Sequence, residues 1–448
     1  MKRKLTTKET ILVASTLFGM FFGAGNLIFP VHLGQMAGSN VWPATLGFIV
    51  TAVGIPILGV AAIGITHSED LLALGSKVSK WYGYVFTAVL YLTIGPFFAI
   101  PRCATTSFAT GVAPILGTDS LVIPQLIFTF VFFAAVWFFS MRPNGIMTWI
   151  GKIINPIFLA FLAVLVSVAL VSPSASISSV APVEAYTSGA FGNGFVEGYG
   201  TMDAIAGLAF GIIVINMIRG LGLSDDDDIA KSTIRSGVFT AILMAIIYVL
   251  TIVMGTQSRG LFEVSENGGI ALAQISDHYL GKAGSVVLAV TITFACLKTA
   301  IGLVTSCSEM FVKMFPKFLG YKGWATVFSI FSFGISNVGL TALINYSIPV
   351  LMLLYPLAIV LIVLSLTEKL FGKSKYVYIF VTLGAFSSAI FDFAKTLPSG
   401  IISALNLTPA IGFAEKVLPL FSLGFGWIVP SLIGLVIGLV ISKSKKSA

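Results

Sequence analysis

The stretch Gly19-Met20-Phe21-Phe22-Gly23-Ala24-Gly25-Asn26 interrupts an apolar run that extends from Ile11 to Pro30. The flanks suit lipid, but glycine is a weak helix former. Irregular backbone at membrane depth is tolerated only where protein buries it or where it lines a cavity. The pattern Gly-x-x-Phe-Gly of residues 19–23 returns at Gly207-Leu208-Ala209-Phe210-Gly211, inside another long apolar stretch. Close helix packing would explain a single glycine of this kind. Two interrupted helices in corresponding positions of two halves point instead to a binding site near the middle of a membrane carrier.

The composition agrees with that setting. Hydrophobic residues make up 57% of the 448 and charged residues 10%, with a mean hydropathy of +1.00. A soluble domain is about a quarter charged. The chain is therefore read as an all-α integral membrane protein. Twelve apolar stretches are long enough to span, at about 20 residues each: roughly 9–31, 41–66, 81–110, 121–140, 147–171, 195–219, 233–256, 283–312, 323–337, 341–367, 375–394 and 421–442. With both termini cytoplasmic, 20 of the 26 lysines and arginines fall on inner segments. Four (Arg259, Lys282, Lys395 and Lys416) fall on outer ones, and Arg102 and Lys298 lie within spans. That split obeys the positive-inside rule. It also accounts for the net charge of +8 by lysines beside a phospholipid surface, without any nucleic acid. The basic, then apolar, N-terminus is longer than a signal-peptide core and lacks a cleavage pattern. Cys103, Cys296 and Cys307 have no paired spacing, and His32, His67 and His278 are scattered, so no disulfide framework, metal centre or haem is expected.

The Ser/Pro/Gly-rich segment Ser172–Asn193 contains no lysine or arginine and separates two halves. The Phe-Gly pairs at 22–23 and 210–211 are offset by 188 residues, and the same shift carries 41–66 towards 233–256. Five spans that start inside and five that start outside form an inverted repeat. The expected division is 1–171 for the first five-helix repeat and 172–194 for the connecting loop. The second repeat takes 195–367, and 368–448 holds two additional helices and a basic tail.

Several runs together resemble the branched-chain amino acid:cation symporters of the BrnQ type. They are Phe22-Gly-Ala-Gly-Asn-Leu-Ile-Phe-Pro30, Gly95-Pro96, Pro101-Arg102, Asn193-Gly-Phe-Val-Glu-Gly-Tyr-Gly-Thr-Met-Asp203 and Ala295-Cys-Leu-Lys-Thr-Ala-Ile-Gly-Leu303. The resemblance covers essentially the whole chain. It implies a secondary transporter in the cell membrane, with a LeuT-like five-plus-five repeat, importing leucine, isoleucine and valine with sodium or protons. No other cofactor and no obligate protein partner is expected; the lipid bilayer is the surrounding.

A zwitterionic substrate needs its carboxylate, ammonium and side chain held at once. Half-helix N-termini attract a carboxylate, and freed carbonyls take an ammonium or a cation. By similarity to LeuT-like proteins, the Gly23-Ala24-Gly25 segment presents the Ala24 and Gly25 amides to the carboxylate, with a hydroxyl from Tyr91. The Phe21 carbonyl and those near Ala204 and Ile205 take the ammonium, and Gly207 and Phe210 help line the side-chain pocket. The interior ionisable residues are few (Arg102, Asp203 and Lys298), and the first two should lie towards the outer ends of their spans. With no midplane cluster of carboxylates, a neutral substrate fits. A methylene is worth only about 1–3 kcal/mol in an apolar pocket, so leucine and valine are not separated.

Lys298 lies 15 residues from Ala283 and 14 from Val312, roughly 20 Å from either end of its span at helical rise. An ammonium at that depth costs at least about 2.5–3.5 kcal/mol, so it should face the bundle. In sodium-coupled LeuT-like proteins, carbonyls of the first helix and hydroxyls of the eighth hold a sodium ion. The matching positions are Gly19 and Phe22 on the first, and Ala295, Lys298 and Thr299 on the eighth. Lysine stands where a hydroxyl is wanted. The expectation is that its ammonium replaces the sodium, and it could also release a proton during transport. The first alternative is a LeuT-fold transporter of another small neutral solute, and the alternative from another class is an intramembrane enzyme or a channel. Lys298 with Thr299 is the nearest catalytic pair, but adjacent helical residues do not face one another. Asp225–Asp228 is expected to be a solvated helix N-terminus, Gly95-Pro96 a kink, and His67–Lys80 a short interfacial helix.

Overall fold

In a computed structural model, residues 4–66, 68–117, 120–141 and 143–446 are described. Lys2, Arg3, His67 and Arg142, which entered the charge and motif readings, lie outside them. The described residues form helices and turns, with no β-strand among them. Among the described residues, nine helical stretches are long and apolar enough to cross a membrane. Leu340–Leu366 is 78% buried in its most apolar window, whereas Val122–Ser140 and Ile428–Lys445 are 22% buried. The first is therefore central, and the other two present apolar side chains outward, as lipid-facing helices do.

The first apolar run is broken, as expected. α1 (Thr7–Phe21) opens on a capping box between Thr6 and Glu9 and stops at Phe21. Phe22 and Gly23 are extended, and α2 (Ala24–Ala37) begins again at Ala24. The chain returns through Val41–Ile49 and Ile55–Ile65, joined by a π-turn. The five-residue helix Leu71–Gly75 is capped by Asp70, which Lys313 holds at 2.5 Å. The next crossing runs from Lys80 and kinks at Gly95-Pro96, where Gly95 leaves helical geometry (φ −94°, ψ −126°). Proline and glycine there remove a hydrogen bond and a steric restraint together. It continues as α3 (Ala99–Thr106).

The second break is displaced from the expected place. α4 (Asp203–Gly220) contains Gly207 and Gly211 in its unbroken interior. The interruption lies earlier: a 3-10 turn over Gly198–Thr201 is followed by Met202 in the left-handed region (φ 65°). Gly207 serves close packing instead, because a Cβ there would stand 2.4 Å from the Pro56 carbonyl oxygen. α5 (Asp226–Gln257) is capped by the Asp225 side chain, so the acidic block is a helix N-terminus. α6 (Gly268–Met314) bends at Gly281 (φ +60°), and the expected span 283–312 is its second part. α7 (Leu340–Leu366) contains Pro349 and Pro356. The last expected span begins later than 421, since Phe421–Leu423 is a 3-10 turn and the helix starts at Ile428.

Hydroxyls fix α1 and α2 against α5. Thr240 Oγ1 donates to the Ala14 carbonyl and Thr256 Oγ1 to that of Gly34, both at 2.9 Å. Such bonds between apolar helices give position at modest energy, and here they hold both sides of the first break.

Candidate functional site

The two breaks meet. Ala24 and Gly25 open α2, and the first N–H groups of a helix lack intrahelical partners. The Gly23 N–H donates to Asn26 Oδ1 at 2.9 Å, which closes the turn. Asn26 Nδ2 donates onward to Asp203 Oδ2, the first residue of α4, and contacts the Tyr248 hydroxyl. Tyr248 in turn donates to Asp203 Oδ2 at 3.2 Å. One asparagine thus caps the second half of the first broken helix and anchors the start of the other.

A cavity of about 40 Å³ lies beside these groups. It has room for a few waters, less than an amino acid requires. Gly23, Ala24, Gly25, Asn26, Thr201 and Asp203 form its polar side, with Arg102 from α3. Met20, Phe21, Ile94, Ala206, Phe210 and Leu303 form the apolar side. The Phe21 and Phe210 rings stand 5.9 Å apart. Polar and charged groups therefore share one cavity with an apolar, partly aromatic lining.

Arg102 is buried (4% exposed). Its Nη1 donates to the Gly200 carbonyl at 2.6 Å and its Nη2 to that of Thr201 at 3.4 Å. These are the carbonyls that the break before α4 sets free. The guanidinium also lies 5.3 Å from the Phe29 ring centre. A Cβ on Gly25 would stand 2.7 Å from Nη2, so the arginine rests directly on the first turn of α2.

The structure brings Phe21, Gly23, Ala24, Gly25, Phe210 and Thr299 together on the cavity. Ala204, Ile205 and Gly207 do not line it. With the break at Met202, positions 204 and 205 fall in the first turn of α4, where carbonyls accept from the next turn. Tyr91 is also elsewhere: its hydroxyl donates to the Ala209 carbonyl at 3.4 Å, and its own carbonyl accepts from Cys307 Sγ. Gly19, Phe22 and Ala295 are buried but do not line the cavity. The Phe22 ring stacks on Phe18 and Tyr248. Lys298 is buried on α6 (6% exposed), next to Thr299, whose side chain lies against Gly23. Lys298 does not line the cavity either. Sequence reasoning missed Asn26, Arg102 and Asp203 as site residues. The signal was available for the last two, since ionisable residues within spans mark function by default.

A second cavity, of about 190 Å³, follows one turn along α2. Phe29, His32, Tyr199, Gly200 and Glu197 line it, with Glu266 and Asn267. The Phe29 ring packs on Gly200 and, with Arg102, separates the two spaces.

Comparison with known proteins places this arrangement. A family described as branched-chain amino acid transport protein matches residues 6–445. The branched-chain amino acid permease BrnQ of Lactobacillus delbrueckii subsp. lactis is 50% identical over 431 residues, covering 96% of each chain. The BrnQ permease of Bacillus subtilis is 40% identical over 442 residues, 99% of this chain and 98% of the relative. Among solved structures, inward-facing Mhp1 aligns with a TM-score of 0.59 over 97% of this chain and 91% of that one, at 14% identity. MhsT in complex with L-phenylalanine aligns with a TM-score of 0.52 over 99% of both, also at 14% identity. These neighbours establish a LeuT-like fold, and the relatives are permeases rather than enzymes.

Proposed function

Because the chain belongs to the branched-chain amino acid transport protein family, we propose that it imports leucine, isoleucine and valine across the cell membrane by alternating access. The observation that carries this reading is the meeting of two interrupted helices on one cavity lined by both charged and apolar side chains. That is the shape of a site for a small zwitterion with an apolar side chain. The cavity is smaller than its substrate, so binding requires its walls to separate. Phe29 and Arg102, between the two cavities, are the layer that parts on the outer side. The 20-to-4 distribution of basic residues supports cytoplasmic termini, and one helix break in each half, at Phe22-Gly23 and at Met202, supports two inverted five-helix repeats.

Transport is coupled to a cation gradient, and Lys298 stands in for a sodium ion between α1 and α6. The support is its burial at mid-span and its place beside Thr299, which touches the break at Gly23. The test is uptake of radiolabelled leucine into proteoliposomes, with sodium and proton gradients imposed separately. Uptake driven by the proton gradient and indifferent to sodium is expected. Strict sodium dependence overturns the lysine substitution, and no leucine uptake under either gradient overturns the transport reading. Competition by other neutral amino acids separates a branched-chain carrier from one for another small solute.

A further inference from the structure

Arg102 and Asp203 are both almost wholly buried, at 4% and 3% exposure, and both line the smaller cavity. They carry opposite charges, yet among the described residues no ion pair joins them, nor either of them to a third group. Isolated buried charges are expensive and are normally paired or hydrogen-bonded to neutrality. We propose that the substrate itself completes this pair: Arg102 receives its carboxylate and Asp203 its ammonium. The inference rests on the reading of the cavity as an amino acid site and names the groups that recognise the two charges.

The arginine meets the requirement on three counts. Its two hydrogen bonds go to neutral carbonyls, at Gly200 and Thr201, which orient the guanidinium without cancelling its charge. Its Nε is buried with no hydrogen-bond partner. It lies on the first turn of α2 at Gly25, so an anion there meets a guanidinium and a helix N-terminus together, each of which favours it. The aspartate is the complement. Its two side-chain bonds, from Asn26 Nδ2 and the Tyr248 hydroxyl, come from neutral donors and both fall on Oδ2. The carboxylate is thereby held in place by neutral donors without an ion pair among the described residues, and a substrate ammonium would supply one. With Phe21 and Phe210 as the third point of contact, the site would distinguish an α-amino acid from any analogue that lacks one charge.

Two leucine analogues test the assignment in the purified full chain: isocaproate, which lacks the ammonium, and isoamylamine, which lacks the carboxylate. Each should compete with leucine at least about 100-fold more weakly than leucine itself, the scale of loss when one member of a buried charge pair is removed. In Asp203→Asn, leucine should weaken by about 100-fold while isocaproate holds or improves, so that the leucine-to-isocaproate ratio collapses. In Arg102→Gln, the same collapse should appear against isoamylamine. Ligand-induced thermal stabilisation in detergent reads these ratios even when a variant no longer transports. If both analogues match leucine on the unmodified protein, the assignment fails whatever the variants do. It fails equally if the substitutions weaken all three ligands alike, which is what braces of the broken helices would do. If the unmodified protein takes up no leucine, the underlying function falls and the assignment with it.

Discussion

Asn26 on α2 donates to Asp203 at the start of α4, so the two interruptions of the bundle are held by a single side chain. The same asparagine accepts the Gly23 N–H. Loss of its amide leaves a buried backbone donor unsatisfied and removes a donor from a buried carboxylate. Such losses cost about 1–3 kcal/mol each, and more for a charged group. Asn26→Ala should therefore lower the unfolding midpoint of the purified protein and abolish leucine uptake. Asn26→Asp should be worse than alanine, because it sets two carboxylates against each other. An unchanged unfolding midpoint in both variants would remove the tie from the account.

Gly25 and Gly207 separate function from folding. At Gly25 an added Cβ meets the Arg102 guanidinium, 2.7 Å from Nη2, the far end of a flexible side chain. Gly25→Ala should fold, displace the arginine and raise the KM for leucine at least about 10-fold, the equivalent of 1.4 kcal/mol. At Gly207 the Cβ meets the Pro56 carbonyl oxygen at 2.4 Å, and backbone inside a packed helix pair does not yield cheaply. Gly207→Ala should cost about 1–3 kcal/mol through overpacking and show as a lowered unfolding midpoint and yield. Equal effects of the two substitutions on KM would contradict this division.

These two glycines also mark how far the sequence could be read. The fold was legible because apolar length, basic asymmetry and the Phe22-Gly23 interruption are one-dimensional signals. The second break was misplaced because Gly207-x-x-Phe-Gly repeats the letters of the first break without its backbone. Glycine permits a break or close packing, and only the neighbouring Pro56 decides which. The real break uses Met202 in a left-handed conformation, which no composition signal announces. Analogy of position points Tyr91 at the substrate, but its hydroxyl donates to the Ala209 carbonyl instead. Arg102 and Asp203 were visible as charges within spans. Their convergence on one cavity depends on the kink at Gly95-Pro96, which the sequence announces, and on the early start of α4, which it does not.

Phe210 sets the apolar end. Its ring faces Phe21 across the cavity wall, beside Ala206. Phe210→Ala opens space and removes contact with an aliphatic side chain. Leucine affinity should fall by about 10–100-fold, while a larger substrate such as phenylalanine should gain relative to it, since one methylene is worth about 1–3 kcal/mol. Ala206→Val should act in reverse and favour valine over leucine. Competition of radiolabelled leucine uptake by valine and phenylalanine reads both. Unchanged selectivity in the two variants would move the side-chain pocket elsewhere.

Lys298 offers the sharpest test of coupling. It is buried on α6, one position from Thr299, which touches the first break. In sodium-coupled LeuT-like proteins, oxygen ligands at the corresponding place hold a mobile cation. On the proposed reading a tethered ammonium supplies the charge here. Lys298→Thr removes that fixed cation and restores a hydroxyl, and unwound carbonyls of the first helix can then take a sodium ion. Uptake by this variant should become sodium-dependent, whereas uptake by the unmodified protein should be indifferent to sodium. Lys298→Met, which keeps an unbranched chain one atom shorter without charge or oxygen, should be inactive at every sodium concentration. The comparison is a sodium titration of leucine uptake in all three proteins. If Lys298→Met transports normally, the ammonium bears no part in holding the first helix, and the coupling ion must be sought away from α6.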